Sequence, residues 1–224
     1  MTDSGADHDD SARLARLARL ARLVDPSRSA LLVQEMQQGV VGQLSGLPAL
    51  AEAAASVGLV EHVAAVVDAA RLAAVPVIHC TAENLPAGFG ANRNARLFAA
   101  ARKAGRENLP GSGPVRPIPE VGPLPGDVVL PRYHGLSPMT GSALDSLLRN
   151  HGVTTVVVVG VSLNVAIPNL VFDAVNRAYQ VVVVSDAVAG VPVAYGEQVL
   201  AHTLSLIATL ATAGELAEAW ATAA

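Results

Sequence analysis

The chain has 224 residues, 51% of them hydrophobic but only 3% aromatic, and 15 Lys and Arg set against 19 Asp and Glu give a formal charge of -4. That length fills one core, and no polar linker divides it into two separately periodic halves, so a single domain is expected. The charge balance excludes the basic footprint that nucleic-acid binding needs, and the lone cysteine, Cys80, excludes an internal disulfide framework or a multi-cysteine metal site.

The acidic opening MTDSGADHDD lacks the charged-then-apolar order of a secretory signal, so a reducing cytoplasm is the expected location. From Ser11 to Leu23, Ala-Arg-Leu repeats place leucines at 14, 17, 20 and 23 and arginines at 13, 16, 19 and 22, which predicts an amphipathic helix. Short and without aromatic anchors, it reads as a helix lying on the domain rather than as a membrane-surface arm. Residues 1–28 are thus expected to be a tail and helix, and 29–224 the domain.

Apolar β-type runs then alternate with helical stretches. Ala30 to Val33 predicts a first strand, Leu50 to Leu72 a helix, Val75 to His79 a second strand and Asn92 to Lys103 a helix. Gly105 to Gly126 is dense in Pro and Gly, a long loop expected to form an edge or subunit contact. Asp127 to Leu130, Thr154 to Val159 and Gln180 to Ser185 read as further strands, with a short sixth at Ala208 to Ala211. Helices are predicted at Ser142 to Asn150, Val165 to Ala178, Tyr195 to Leu206 and Glu215 to Ala223. Val153 to Phe172 carries no charge over a bilayer-spanning length, but Gly160, Asn164, Pro168 and Asn169 interrupt it, which fits a buried strand turning into a buried helix. Continuous apolar strands separated by helices predict a Rossmann-like three-layer α/β/α fold with a parallel sheet of five to six strands. Ligands of such sheets bind beyond the carboxyl ends of the strands, which directs attention to Glu35, 79–83, 132–136, 160–166 and Asp186.

Two segments at those strand ends carry a specific resemblance. Ala30-Leu-Leu-Val-Gln-Glu-Met-Gln37 is similar to the A-L-L-V-I-D-M-Q opening of the isochorismatase-like hydrolases and nicotinamidases, and Val156-Val-Val-Val-Gly-Val-Ser-Leu-Asn-Val-Ala-Ile167 to their V-G-V-x-T-N-V-C-V. Leu130-Pro-Arg-Tyr-His-Gly-Leu136, Asp173-Ala-Val-Asn-Arg-Ala-Tyr179 and Val183-Val-Ser-Asp-Ala187 resemble further elements of the same family, in order, over about 29–216. The resemblance implies the isochorismatase-like hydrolase fold, a homo-oligomer, a non-proline cis peptide at Val161-Ser162, and an Asp, Lys and Cys in the site. Those three fall on Glu35, Leu130 and Ala166. The chemistry needs a thiolate with a base and a cation beside it, and here only the carboxylate survives, one methylene longer. The non-covalent isochorismate-cleaving route is expected to need the missing lysine as well.

Other residues at the same edge are candidates for the lost roles. Cys80 is a relocated nucleophile or a small buried hydrophobe. His134 is an acid or base to Glu35, or a plain loop residue. Ser162 and Asn164 are anion binders or turn and cap residues. Arg132 and His79 complete the ligand-binding set. Nicotinamidases look to an Asp-x-His element for zinc, but that place reads His79-Cys-Thr-Ala-Glu-Asn84, so no metal is expected. No nucleotide-binding glycine motif is present, and no cofactor is assigned. Three functions follow as expectations: a former hydrolase keeping a small-molecule pocket for binding or non-covalent acid-base chemistry; a non-catalytic scaffold or assembly protein; or a hydrolase using Cys80. Neither a nucleic-acid nor a membrane partner is expected.

Overall fold

The structure is a computed structural model and describes residues 4–105 and 108–222. Six strands form one wholly parallel sheet: β1 (Ser29–Gln34), β2 (Val77–Ala82), β3 (Val128–Arg132), β4 (Thr155–Val161), β5 (Gln180–Ala189) and β6 (Thr209–Ala211). Their order is β3-β2-β1-β4-β5-β6, so the chain reverses its direction of travel between the central pair β1 and β4. Such a reversal leaves a crevice beyond the two carboxyl ends.

Among the described residues the α-helices are α1 (Ser4–Leu23), α2 (Pro48–Ser56), α3 (Leu59–Leu72), α4 (Arg96–Lys103), α5 (Leu144–Asn150), α6 (Ala166–Asn176), α7 (Val193–His202) and α8 (Ala213–Ala221). Although the central runs of β1, β4 and β5 are apolar without a break, the pleat still divides them by alternation. Leu31 and Val33, Val157 and Val159, and Val182 and Val184 join α1, α3 and α8 in one core; Ala30 and Leu32, Val156 and Val158, and Val181 and Val183 join α5 and α6 in the other. β-branched side chains on both faces suit such a doubly covered sheet.

Three of the departures from the sequence expectation bear on packing. The helix expected over 50–72 is two helices bent by 69°, because Gly58 takes a left-handed φ of 62° between them. The predicted Tyr195 to Leu206 helix ends at His202 and passes into a single 3-10 turn at Leu204–Leu206. The proline-rich loop is more than an edge: Val115, Ile118 and Val121 are buried, the last two in the α3 core.

The amphipathic amino-terminal helix belongs to the domain surface. Leu17 and Leu20 are buried, Arg13 and Arg16 pair with Glu218 and Glu215 of α8 at 2.8 and 3.1 Å, and the Trp220 indole donates to Val24 O at 2.9 Å. The ion pairs are exposed and worth little each; the buried leucines hold the helix. The uncharged 153–172 stretch is divided between β4 and α6, and no single described helix is long and apolar enough to cross a membrane.

Candidate functional site

Glu35 follows β1 immediately and takes φ 51°, the left-handed region that non-glycine residues seldom occupy. Such strained positions cluster at functional sites. Its backbone N–H is held by Cys80 O of β2 at 2.9 Å. Its Oε1 accepts from two donors, the Arg132 Nη2 at the end of β3 and the Gln34 Nε2 at 2.8 Å. Arg132 Nη1 also donates to Gly135 O, which fixes the guanidinium across the turn after β3. The Glu35 and Arg132 side chains are only 17% and 11% exposed. An ion pair so withdrawn from water costs several kcal/mol to break from one side, since the abandoned charge is left with little solvation.

Two glutamines beside this pair escaped the sequence reading. Gln34 is a lone amide closing the apolar run Ala30-Leu-Leu-Val, and that break in pattern was the available signal. Gln37 is buried and clamps the neighbouring segments: its Nε2 donates to Val115 O at 2.9 Å and its Oε1 accepts from Ala82 N at 2.8 Å. It ties the end of β2 to the proline-rich loop.

On the other side of β1 from β2, β4 ends in Gly160, Val161 and the turn into α6, and the Val161–Ser162 peptide is cis, as the resemblance implied. Val165 N–H and Ile167 N–H both bond Ser162 O. The Ala166 N–H is unpaired among the described residues. Asn164 is occupied structurally: its amide donates to Val191 O and accepts from Val191 N at 2.8 Å, tying the β4–α6 turn to the segment after β5. Ala166, the first residue of α6, presents a buried methyl group. Leu130 lies opposite Cys80 in β3 and packs on the α5–α6 core.

The remaining candidates are dispersed. Cys80 is 1% exposed, and burial pushes its thiol up to about 12, with Glu35 adding to the shift and Arg132 opposing it. That is the reverse of what a nucleophile needs. His134 is exposed beside Gly141, and among the described residues it forms no hydrogen bond with Glu35. His79 is buried with its Nε2 3.3 Å from Asp127 Oδ2, and Asp127 also accepts from Arg71 Nη2 at 2.6 Å and Leu124 N at 2.8 Å. The structure therefore gives His79 to a clamp on the proline-rich loop, not to the Glu35 group. Among the described residues no group of three or more His, Cys, Asp or Glu side chains is placed to hold a metal ion. Two cavities, one beside Leu163, Asp186 and Gly190 and one beside Gln38, Val60 and Glu120, are lined by none of Glu35, Arg132 and Ala166.

His79 carries a pH prediction. Burial lowers its pKa below 6.5, outweighing the pull of Asp127, so the unfolded chain binds the extra proton first as pH falls. Stability from this group is complete above about pH 6.5 and is lost below it, by at most about 1.4 kcal/mol per pH unit for one proton. Urea midpoints at pH 5.5 and 7.5 are expected to differ more for the wild type than for His79→Gln. Equal differences would remove His79 from the pH dependence.

Residues 29–215 match the isochorismatase domain. The chain belongs to the isochorismatase family. Among curated relatives, the ureidoacrylate amidohydrolase RutB of Cronobacter sakazakii is 30% identical over 177 residues, covering 72% of this chain and 75% of that protein. Among solved structures, a cysteine hydrolase from Pseudomonas syringae pv. phaseolicola superposes with a TM-score of 0.75 at 23% identity, over 90% of this chain and 96% of the other. The N-carbamoylsarcosine amidase of Thermoplasma acidophilum superposes with a TM-score of 0.65 at 26% identity, over 83% and 96%. The six-stranded parallel sheet flanked by helices is thus the isochorismatase-like fold anticipated from the sequence.

Proposed function

We propose that this isochorismatase-family chain has given up cysteine catalysis and keeps its strand-end site to bind a small molecule or to run non-covalent acid-base chemistry on it. One observation carries the reading: the carboxylate at the family's aspartate position is bound to Arg132, while the lysine and cysteine positions present Leu130 and Ala166. An arginine stays protonated and donates through a planar fork, so it orients an anion or a carbonyl but does not shuttle a proton. Any acid-base step would fall to Glu35.

The names of the relatives supply the first compounds to try, since ureidoacrylate and N-carbamoylsarcosine both end in a carbamoyl group. The scaffold reading is less well supported. The arginine helix already spends Arg13 and Arg16 on α8, and the proline-rich loop spends Ile118 and Val121 on the α3 core. A thermal-shift screen of carboxamides, ureido acids and common metabolites tests the proposal, because a ligand of the native state raises the melting temperature. At least one compound is expected to stabilise the wild type and to lose that effect in Glu35→Gln. A screen in which nothing shifts the wild type would overturn the reading.

A further inference from the structure

A bulge in β5 borders the cavity beside Leu163 and Gly190. Between the paired positions Val158–Val183 and Gly160–Val188, β5 carries more residues than β4, so it bows away and Ser185 and Asp186 leave the ladder that joins the two strands. The cavity beside them measures about 180 Å³ and is mostly apolar: Leu163, Val188 and Gly196 are its buried walls, and Val57, Val193 and Leu200 are half-buried around it. Since a cavity of about 150 Å³ holds a benzene ring, this one has room for a ring and a small substituent. A Cβ at Gly190 or Gly196 would come within 2.9 or 3.0 Å of the Leu163 side chain, so that wall is closely packed rather than loosely filled.

The polar side chains at this cavity offer acceptors alone. Asp186 Oδ1 accepts from Ala213 N at 2.8 Å at the start of α8, which leaves Oδ2 with no donor among the described residues. Oδ2 is not one of the fully enclosed atoms that lack a partner, so it stays within reach of a ligand. Ser185 Oγ gives its only hydrogen to Ala211 O at 3.2 Å and keeps its lone pairs. Glu197, exposed on α7, adds a second carboxylate at the rim. Among the described residues no Lys, Arg, His, Asn or Gln side chain lines the space. An anion would meet two carboxylates and a hydroxyl would bring one donor, whereas an ammonium brings three donors and no acceptor.

We infer that this cavity is a binding site for a primary ammonium carried on a small apolar body, with Asp186 Oδ2 receiving the cation and Leu163, Val188 and Leu200 the body. It is lined by none of Glu35, Arg132 and Ala166 and does not rest on the small-molecule reading above. It does abut the turn that places Ala166, because Leu163 N donates to Ala189 O at 2.8 Å and both residues line the cavity.

The probe is benzylamine, titrated into 15N-labelled wild-type protein beside its neutral and anionic counterparts, benzyl alcohol and benzoate. The backbone amide signals of Leu163, Gly190 and Gly196 are expected to move with benzylamine while those of Glu35 and Gln37 stay still. Benzyl alcohol is expected to bind at least about tenfold more weakly, the difference that a charged hydrogen bond makes, and benzoate not at all. In Asp186→Asn, which keeps an acceptor for Ala213 N and removes the charge, the amine and the alcohol are expected to bind within about threefold of each other. Wild-type protein that ignores benzylamine, or takes benzyl alcohol equally well, would overturn the inference and leave a cavity for water or apolar solutes. Signals that move at Glu35 instead of Gly190 and Gly196 would overturn it by placing the amine in the strand-end site. An undiminished preference for the amine in folded Asp186→Asn would overturn the assignment of the cation to Asp186. The selectivity and signal positions of the wild type decide the matter even if that variant does not fold.

Discussion

Replacing Gly160 by alanine is expected to destabilise the protein by about 2–6 kcal/mol, a large share of a typical domain's stability. Gly160 takes φ 106° near the end of β4, and a Cβ built there would lie 2.1 Å from Gln34 O. Two costs combine: a backbone conformation closed to side-chain-bearing residues, and a clash with main chain rather than with a flexible side-chain tip. The clash cannot relax locally, because β1 and β4 are the central pair of the sheet. The pairing of β4 with β5 also shifts register between Val158 and Gly160, a bulge that the glycine accommodates. Urea unfolding of the wild type and Gly160→Ala measures the difference. A loss below about 1 kcal/mol would show that the two central strands can slide apart, against the packed-core expectation.

The second large effect concerns turnover. Wild-type protein is expected to release no detectable ammonia from ureidoacrylate, N-carbamoylsarcosine or nicotinamide, since losing the nucleophile of a hydrolytic site lowers turnover by on the order of a millionfold. Ala166→Cys alone is expected to remain inactive. A thiol installed there has no cation at Leu130 to favour its thiolate, and the Glu35 carboxylate is already engaged by Arg132. The combination Glu35→Asp, Leu130→Lys and Ala166→Cys shortens the carboxylate away from Arg132 and supplies the charge. Its thiol is expected to react with iodoacetamide at pH 7 faster than that of the single variant. Wild-type turnover that survives Cys80→Ala but vanishes in Glu35→Gln would replace the binding role with acid-base catalysis. Loss of turnover in Cys80→Ala would make Cys80 the nucleophile despite its burial.

The fold was readable because its signals are local and repeated. Unbroken runs such as Val156–Val159 and Val181–Val184 fix buried strands, and each is followed by a helix. What sequence could not supply was contact across the sheet. Glu35 and Arg132 are 97 residues apart, and their pairing depends on β2 lying between β1 and β3. The same limit hid the role of His79: the strand pattern places it beside Cys80, but only the pleat and Asp127 show that it serves the loop clamp. The sequence suits Asn164 equally to anion binding and to turn-making, and Val191 occupies both ends of its amide. Gln34 carries only a weak signal, because a single polar residue at the end of a strand is usually no more than a boundary.

The packing of α1 on α8 sets apart two kinds of border. The stretch shared with the family runs over 29–215, whereas Leu17 and Leu20 on one side and Leu216, Ala219 and Trp220 on the other lie outside it and are buried in the protein. The unit recognisable by descent is smaller than the unit that seals itself from water. A fragment trimmed to the ancestral borders would carry an uncovered oily face along α3 and β5, the elements on which α8 rests. The family match and the cooperative unit have different lengths in this chain, and α1 with the end of α8 makes up the difference.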